Sequence, residues 1–300
     1  LPARVAANPF LACSETASSE ENRKNVLSSS PVKPDVMRKL LLLLWGAAWL
    51  LPVCAQPDTV KFDLLIETPS LEAIDDYPQC VTRISREDAG YRIALTVVSP
   101  YADGTRKTLF NACPYTAGAM YAPEIGRYLE STPLIDAGRA EIALIADTLL
   151  GGMGKTGDII RKGLAFVHGL LTYDDSLVLE IDAGRCRTLD AGTVLDRRRG
   201  TCSEYTNLFA ALMRCKGIPT RFAVGYVFMP ERNYRGTHAW AECYVEGIGW
   251  CAVDPQNGSA GFPHGYVLKM RHGLDYEDCR IRTLDRDIEP LEIVRTYPAP

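Results

Sequence analysis

The chain has 300 residues, 47% of them hydrophobic, enough for one large domain or two modest ones around an ample core. Acidic residues number 37 against 33 basic, a formal net charge of -4, so no global positive field gathers nucleic acid or anionic lipid, and no nucleic-acid partner is expected. With only four histidines and no C-x-x-C spacing, a structural zinc site is not expected, and neither a metal nor a cofactor is called for.

Residues 1–36 begin with Leu and are rich in Ser, Glu and Asn, which reads either as an untranslated stretch ahead of Met37 or as a disordered extension. Met37–Ala55 has the layout of a secretory signal. Arg38 and Lys39 form a basic start, Leu40 to Leu51 an apolar stretch, and Val53 and Ala55 are small residues ahead of a cleavage after Ala55. An exported protein, periplasmic or secreted, with no stable membrane span after cleavage is the expectation. A membrane anchor is the alternative, although the stretch is shorter than the roughly 18 apolar residues that favour a spanning helix.

Residues 56–136 are expected to be a β-rich N-terminal region, since runs such as Val60 to Glu67 and Tyr91 to Ser99 alternate with turn residues. Between Ala137 and Leu150 the apolar residues Ile142, Leu144, Ile145 and Leu149 recur near a helical period, and a second helix is expected from about Asp158 to Leu171. The glycine-rich segment from Gly151 to Thr156 superficially suggests a phosphate loop. Its spacing would require Gly at position 149, which is Leu149, so it reads as an interhelical loop.

Thr201 and Glu204 have the spacing of a capping box, and Leu208, Phe209, Leu212 and Cys215 follow as an apolar stripe that Gly217 and Pro219 end. Thr220 to Phe228 then reads as a strand, and His238 to Glu246 and Trp250 to Asp254 as two strands joined at Gly247-Ile248-Gly249. A helix followed by consecutive strands argues α+β rather than a doubly wound sheet. Residues 281–300 read as a C-terminal tail.

The chemistry concentrates in this segment. Thr201 as N-cap makes Cys202 the first residue of its helix, where unpaired backbone N–H groups and the positive end of the dipole favour a thiolate. Cys215, near the other end of the same helix, reads as core. A thiolate cannot expel an amine unless the leaving nitrogen is protonated, and His238 is the candidate for that proton and for later activating water. Asp254 is the candidate that orients the imidazole. A turn centred between Gly247 and Ile248 does not set these two residues opposite each other, so a bulge or a diagonal contact is required. Setting Cys202 and the pre-cleavage cysteines aside leaves seven, so at least one more is unpaired; disulfides such as Cys80 to Cys113 and buried free thiols both stay open.

These residues resemble the transglutaminase-like superfamily, in its exported bacterial members. Arg198-Arg199-Gly200-Thr201-Cys202-Ser203-Glu204-Tyr205 looks like its nucleophile motif, His238-Ala239-Trp240-Ala241-Glu242 its His motif, and Gly249-Trp250 through Val253-Asp254-Pro255 its Asp motif. Arg214, Gly217-Ile218-Pro219 and Gly225-Tyr226 are similar to the helix and strand between them, and Gly273-Leu274-Asp275-Tyr276 resembles a bacterial tail. The resemblance implies a papain-like core over residues 137–280, a central helix on an antiparallel sheet, with Cys202 as nucleophile, His238 as base and acid, and Asp254 as its partner. It implies thioester chemistry on peptide or glutamine-type amides, by hydrolysis or transamidation, with a peptide or protein substrate that includes cell-wall peptide. A non-catalytic binding or scaffolding module on the same fold is the alternative.

Overall fold

The computed structural model describes residues 59–67, 71–98, 105–229, 234–260, 267–279 and 292–296; residues 1–36 and the signal-like Met37–Ala55 lie outside them. Val60, Phe62, Leu64 and Ile66 alternate along β1 (Thr59–Ile66), and this period of two buries one face of a four-stranded antiparallel sheet. Its other strands are β2 (Gln79–Glu87), β3 (Gly90–Val98) and β10 (Glu292–Thr296), in the order β10-β1-β3-β2. The buried face gathers Ile93, Leu95 and Val97 and packs against Tyr226, Leu268 and Met270 of a second sheet. Each fully buried side chain of this size contributes about 1.5–3 kcal/mol.

Two features differ from the layout expected for these regions. The tail contains β10, which pairs with β1 from Lys61↔Thr296 to Leu65↔Glu292. A short helix, α1 (Leu71–Ile74), precedes β2, and the stretch after β3 is helical, with α2 (Thr105–Ala112), α3 (Pro123–Gly126) and a 3-10 turn at Arg127–Leu129.

The larger half is built from α4 (Ala140–Leu150), α5 (Thr156–Leu170), β4 (Thr172–Tyr173), α6 (Asp175–Asp182), α7 (Ala191–Arg197), β5 (Arg199–Gly200) and α8 (Cys202–Cys215). It is completed by β6 (Thr220–Met229), β7 (Tyr234–Val245), β8 (Gly249–Val253) and β9 (Val267–Gly273), an antiparallel sheet ordered β8-β7-β6-β9. The α4 and α5 helices lie within three residues of their expected limits, and Gly151 to Lys155 is the loop between them. The architecture is α+β, a central helix on a four-stranded antiparallel sheet with a second four-stranded sheet beside it. Among the described residues no helix is long and apolar enough to cross a membrane.

Helix α8 is encased: every residue from Leu208 to Met213 is 0% exposed, packed between α4, α5 and α7 on one side and β6 and β7 on the other. It stops where Gly217 adopts φ +70°, a left-handed conformation free of a Cβ penalty, which lets Ile218 N–H return to Met213 O at 3.0 Å.

A buried charge cluster ties β6, β7 and β9 to the connection between α1 and β2. Glu242 on β7 accepts from Arg221 Nε at 2.6 Å and from Lys269 Nζ at 3.1 Å, and both cations also reach Asp76, just after α1. Burial works against the charged carboxylate of Glu242, but Arg221 and Lys269 outweigh it and hold its pKa at about 2, below the ordinary 4.5. A depressed folded-state pKa stabilises the fold above pH about 4.5, and this contribution is lost as the pH falls through about 2. Urea midpoints measured from pH 6 to 2 should therefore fall through that window. Glu242→Gln should be less stable at pH 6, with a shallower acid slope; an unchanged slope would dissociate Glu242 from the acid sensitivity.

Candidate active site

The turn into α8 is shaped by Glu204. Its carboxylate is fully buried and takes Thr201 N–H at 2.7 Å and the Thr201 hydroxyl at 2.6 Å, so the capping-box partner predicted from the spacing does reach back. Its other oxygen takes the Thr188 hydroxyl at 2.5 Å and Leu189 N–H at 2.9 Å, tying the turn to the segment before α7. Gly200 has to be glycine here, since a Cβ would lie 2.2 Å from Glu204 Cβ. The strand before Cys202 is steadied from the other side, where β5 pairs in parallel with β4 and Asp174 N–H bonds Gly200 O at 3.0 Å.

Cys202 opens α8 with its side chain half-buried and within electrostatic reach of the His238 ring. His238 lies within β7, not at its start as the sequence suggested, because the strand begins at Tyr234. Its Nε2 is 3.0 Å from Asp254 Oδ2, and its ring stacks on Trp240 with centroids 6.4 Å apart.

The contact between His238 and Asp254 follows from the hairpin register. Val245 pairs with Gly249 and Ala241 with Val253, so the turn is centred on Gly247 rather than between Gly247 and Ile248. Continuing the register one residue sets Asp254 opposite Trp240, on the face His238 shares two residues along. The contact is diagonal, and no bulge interrupts the β7–β8 register.

Asp254 is 1% exposed and fully engaged. Its Oδ1 accepts Gln256 N–H at 3.1 Å and Asn257 N–H at 3.2 Å, while Asn257 Nδ2 donates to Oδ2 at 2.7 Å. The loop bearing Asn257 is held in turn by α5, where His168 Nδ1 meets Gln256 O at 2.8 Å. The sequence reading did not single out Asn257, His168 or Thr188. The signal for Asn257 was present, because Asp followed by Pro is an Asx-turn starter whose carboxylate binds backbone two and three residues on.

Electrostatics follow from this geometry. Burial disfavours the protonated His238 ring, but the Asp254 carboxylate and then the Cys202 side chain outweigh it and raise the pKa to about 10. Burial likewise disfavours charged Asp254, yet His238 and Asn257 hold it below its ordinary value. Cys215 contrasts with this environment: burial pushes its thiol up to about 11, and it donates to Ala137 O at 3.0 Å. Among the described residues no cluster of three or more His, Cys, Asp or Glu side chains could hold a metal ion.

The family model described as the transglutaminase-like superfamily matches residues 160–255. A protein-glutamine gamma-glutamyltransferase of Pseudomonas aeruginosa is 36% identical over 70 residues, 21% of this chain and 10% of that protein. A peptide-N(4)-(N-acetyl-beta-glucosaminyl)asparagine amidase of Eremothecium gossypii is 27% identical over 148 residues, 45% of this chain and 40% of that protein. The chain thus matches well under two thirds of either relative's length. A solved structure from Cytophaga hutchinsonii, described as a candidate cysteine protease, superposes with a TM-score of 0.51 at 12% identity, over 80% of this chain and 85% of that one, which is a likeness of fold. The chain therefore carries, at residues 160–255 and with Cys202, His238 and Asp254 inside them, a core domain of the transglutaminase-like superfamily.

Proposed function

We propose that the chain is a thiol-dependent acyl-transfer enzyme acting on peptide or glutamine-type amides, with Cys202 as nucleophile, His238 as general acid and base, and Asp254 as the group that orients the ring. The observation that carries this reading is the convergence of the Cys202 side chain and the Asp254 carboxylate on one imidazole. With Nε2 committed to Asp254, Nδ1 is the ring atom left for the sulfur.

In the reactive state the proton shared by Cys202 and His238 rests on the ring. The sulfur attacks the amide carbonyl carbon, and the carbonyl electrons move onto oxygen, for which the Cys202 backbone N–H at the head of α8 is a donor. Collapse of that adduct breaks the C–N bond as His238 gives its proton to the departing nitrogen, leaving an acyl thioester. Neutral His238 then takes a proton from water or an amine as it attacks the thioester, and release of the sulfur completes the cycle. Water yields a carboxylic acid and an amine yields a new amide, so the second acceptor alone separates hydrolysis from transamidation. The two curated relatives are named for reactions at glutamine and asparagine, in keeping with an amide substrate. Export through Met37–Ala55 and cell-wall or envelope peptides as substrates belong to the same proposal.

Alkylation of the native protein with iodoacetamide near pH 6 tests it. Cys202 should label at least about tenfold faster than Cys215 or Cys279, and the preference should vanish in His238→Ala. Slow labelling of Cys202 at the rate of the other thiols would instead point to a non-catalytic module.

A further inference from the structure

The hairpin that carries His238 also brings two other sulfurs together. Cys243 on β7 and Cys251 on β8 are direct register partners, 0% and 6% exposed, and both belong to the core around α8. Tyr244 N–H turns away to Pro219 O at 2.8 Å, so the N–H and C=O of Cys243 turn toward β8, as does the Val245 carbonyl that accepts from Ile248 N–H at 3.0 Å. Cys243 and Cys251 are therefore a hydrogen-bonded pair, for which a Cα separation of about 5.5 Å is usual. That Cα spacing falls within the roughly 4.4–6.8 Å that a disulfide spans, while the facing Cβ atoms, about 5.5 Å apart in such a pair, have to draw in to the roughly 3.5–4.5 Å of the bond as it forms during folding.

As thiols the two have only weak partners. The Thr220 hydroxyl is 3.6 Å from Cys243 Sγ, and Cys251 Sγ is 3.6 Å from Gly249 O. Burial pushes the Cys243 thiol well above its ordinary range, and the facing Cys251 adds to that push. Burial also raises Cys251, to about 12. Half-buried Cys113 lies within electrostatic reach of Cys251 and is the competing partner. The structure presents all of these as free thiols.

We infer that Cys243 and Cys251 form a cross-strand disulfide when the chain folds in the presence of a disulfide oxidant such as oxidised glutathione. One protein thiolate attacks the glutathione disulfide, expels a glutathione thiolate and becomes a mixed disulfide. The other protein thiolate attacks the protein sulfur of that bond and expels the second glutathione. Two protein thiols are oxidised, and one glutathione disulfide is reduced to two thiols that take up the two protons the protein thiols give up. The exchange belongs to folding, before the hairpin packs on α8, because burial afterwards keeps both sulfurs protonated and excludes oxidant and reductant alike. The bond staples β7, which carries His238, to β8, which leads into Asp254.

The test refolds the full chain from its reduced, urea-unfolded state in a glutathione redox buffer. The sample is quenched in acid, unfolded again, alkylated with iodoacetamide and digested without reduction for mass mapping. The expected product is a Cys243–Cys251 linked peptide, about 2 Da lighter than the sum of its thiol peptides and absent after dithiothreitol, with a thermal midpoint about 5 °C above protein refolded under reductant. Cys243→Val should return Cys251 to the alkylated pool; if that variant does not fold, the wild-type map alone decides. Alkylation of both residues in the folded wild type, or linkage of Cys251 to Cys113, overturns the inference.

Discussion

Asp254→Asn is expected to lower kcat for ammonia release from a glutamine-containing peptide by about 10^3- to 10^4-fold, because an amide in place of the carboxylate no longer steadies the charged, correctly oriented ring. The same substitution should change the pH profile. Asp254 is the main group raising the His238 pKa to about 10, against the opposing effect of burial. The alkaline limb of kcat/KM, which follows loss of the proton needed by the leaving nitrogen, should start near pH 10 in the wild type and move down toward about 6.5 in the variant. Stability should report the same coupling. A folded-state pKa raised from 6.5 to about 10 stabilises the protein fully below about 6.5, and that contribution disappears as the pH rises through about 10. Asn257→Ala serves as the contrast: it removes the 2.7 Å bond to Asp254 Oδ2 but leaves the His238 contact, so kcat should fall only about three- to tenfold with KM unchanged. A variant Asp254→Asn whose alkaline limb stays in place would sever the link between the carboxylate and the ring.

Glu204→Ala is the substitution expected to damage the fold most. It removes a fully buried carboxylate that takes four hydrogen bonds, and it takes the acceptor away from the Thr201 and Leu189 N–H groups. Loss of these bonds and the cavity left behind should together destabilise the protein by about 3–5 kcal/mol, read as a shift of the urea midpoint with the slope unchanged. Glu204→Gln keeps an acceptor for some of these donors and should cost less. Because Thr201 sets where α8 begins, surviving folded Glu204→Ala should also lose the rapid alkylation of Cys202. A loss below 1 kcal/mol would mean that water replaces the carboxylate and that the helix start is held by other contacts.

Much of the larger half was legible along the chain because its signals are local. The spacing of Thr201 to Glu204, the apolar stripe after it and the Gly217 stop all act within one or two helical turns, so the limits of α8 follow from nearest-neighbour chemistry. The three ordered motifs around Cys202, His238 and Asp254 were visible for the same reason. The hairpin was visible as well, but its register was not. A shift of the turn centre by half a residue moves a side chain from one face to the other, and only the packing of Cys243, Val245, Cys251 and Val253 into the α8 core selects the register that brings Asp254 to His238.

The amino-acid sequence by itself determined the α+β class, the placement of Cys202 at the head of a capped helix, and the choice of the three side chains proposed to act together. Only the tertiary structure decided what depends on partners far apart in the chain. These are the pairing of β10 with β1, the Arg221–Glu242–Lys269–Asp76 cluster, and the hold of His168 on the Gln256 carbonyl beside Asp254. The physical reason is range. Caps and turns are settled by atoms a few residues apart, whereas strand order and buried charge pairs depend on which surfaces exclude water together, and that is a property of the folded whole.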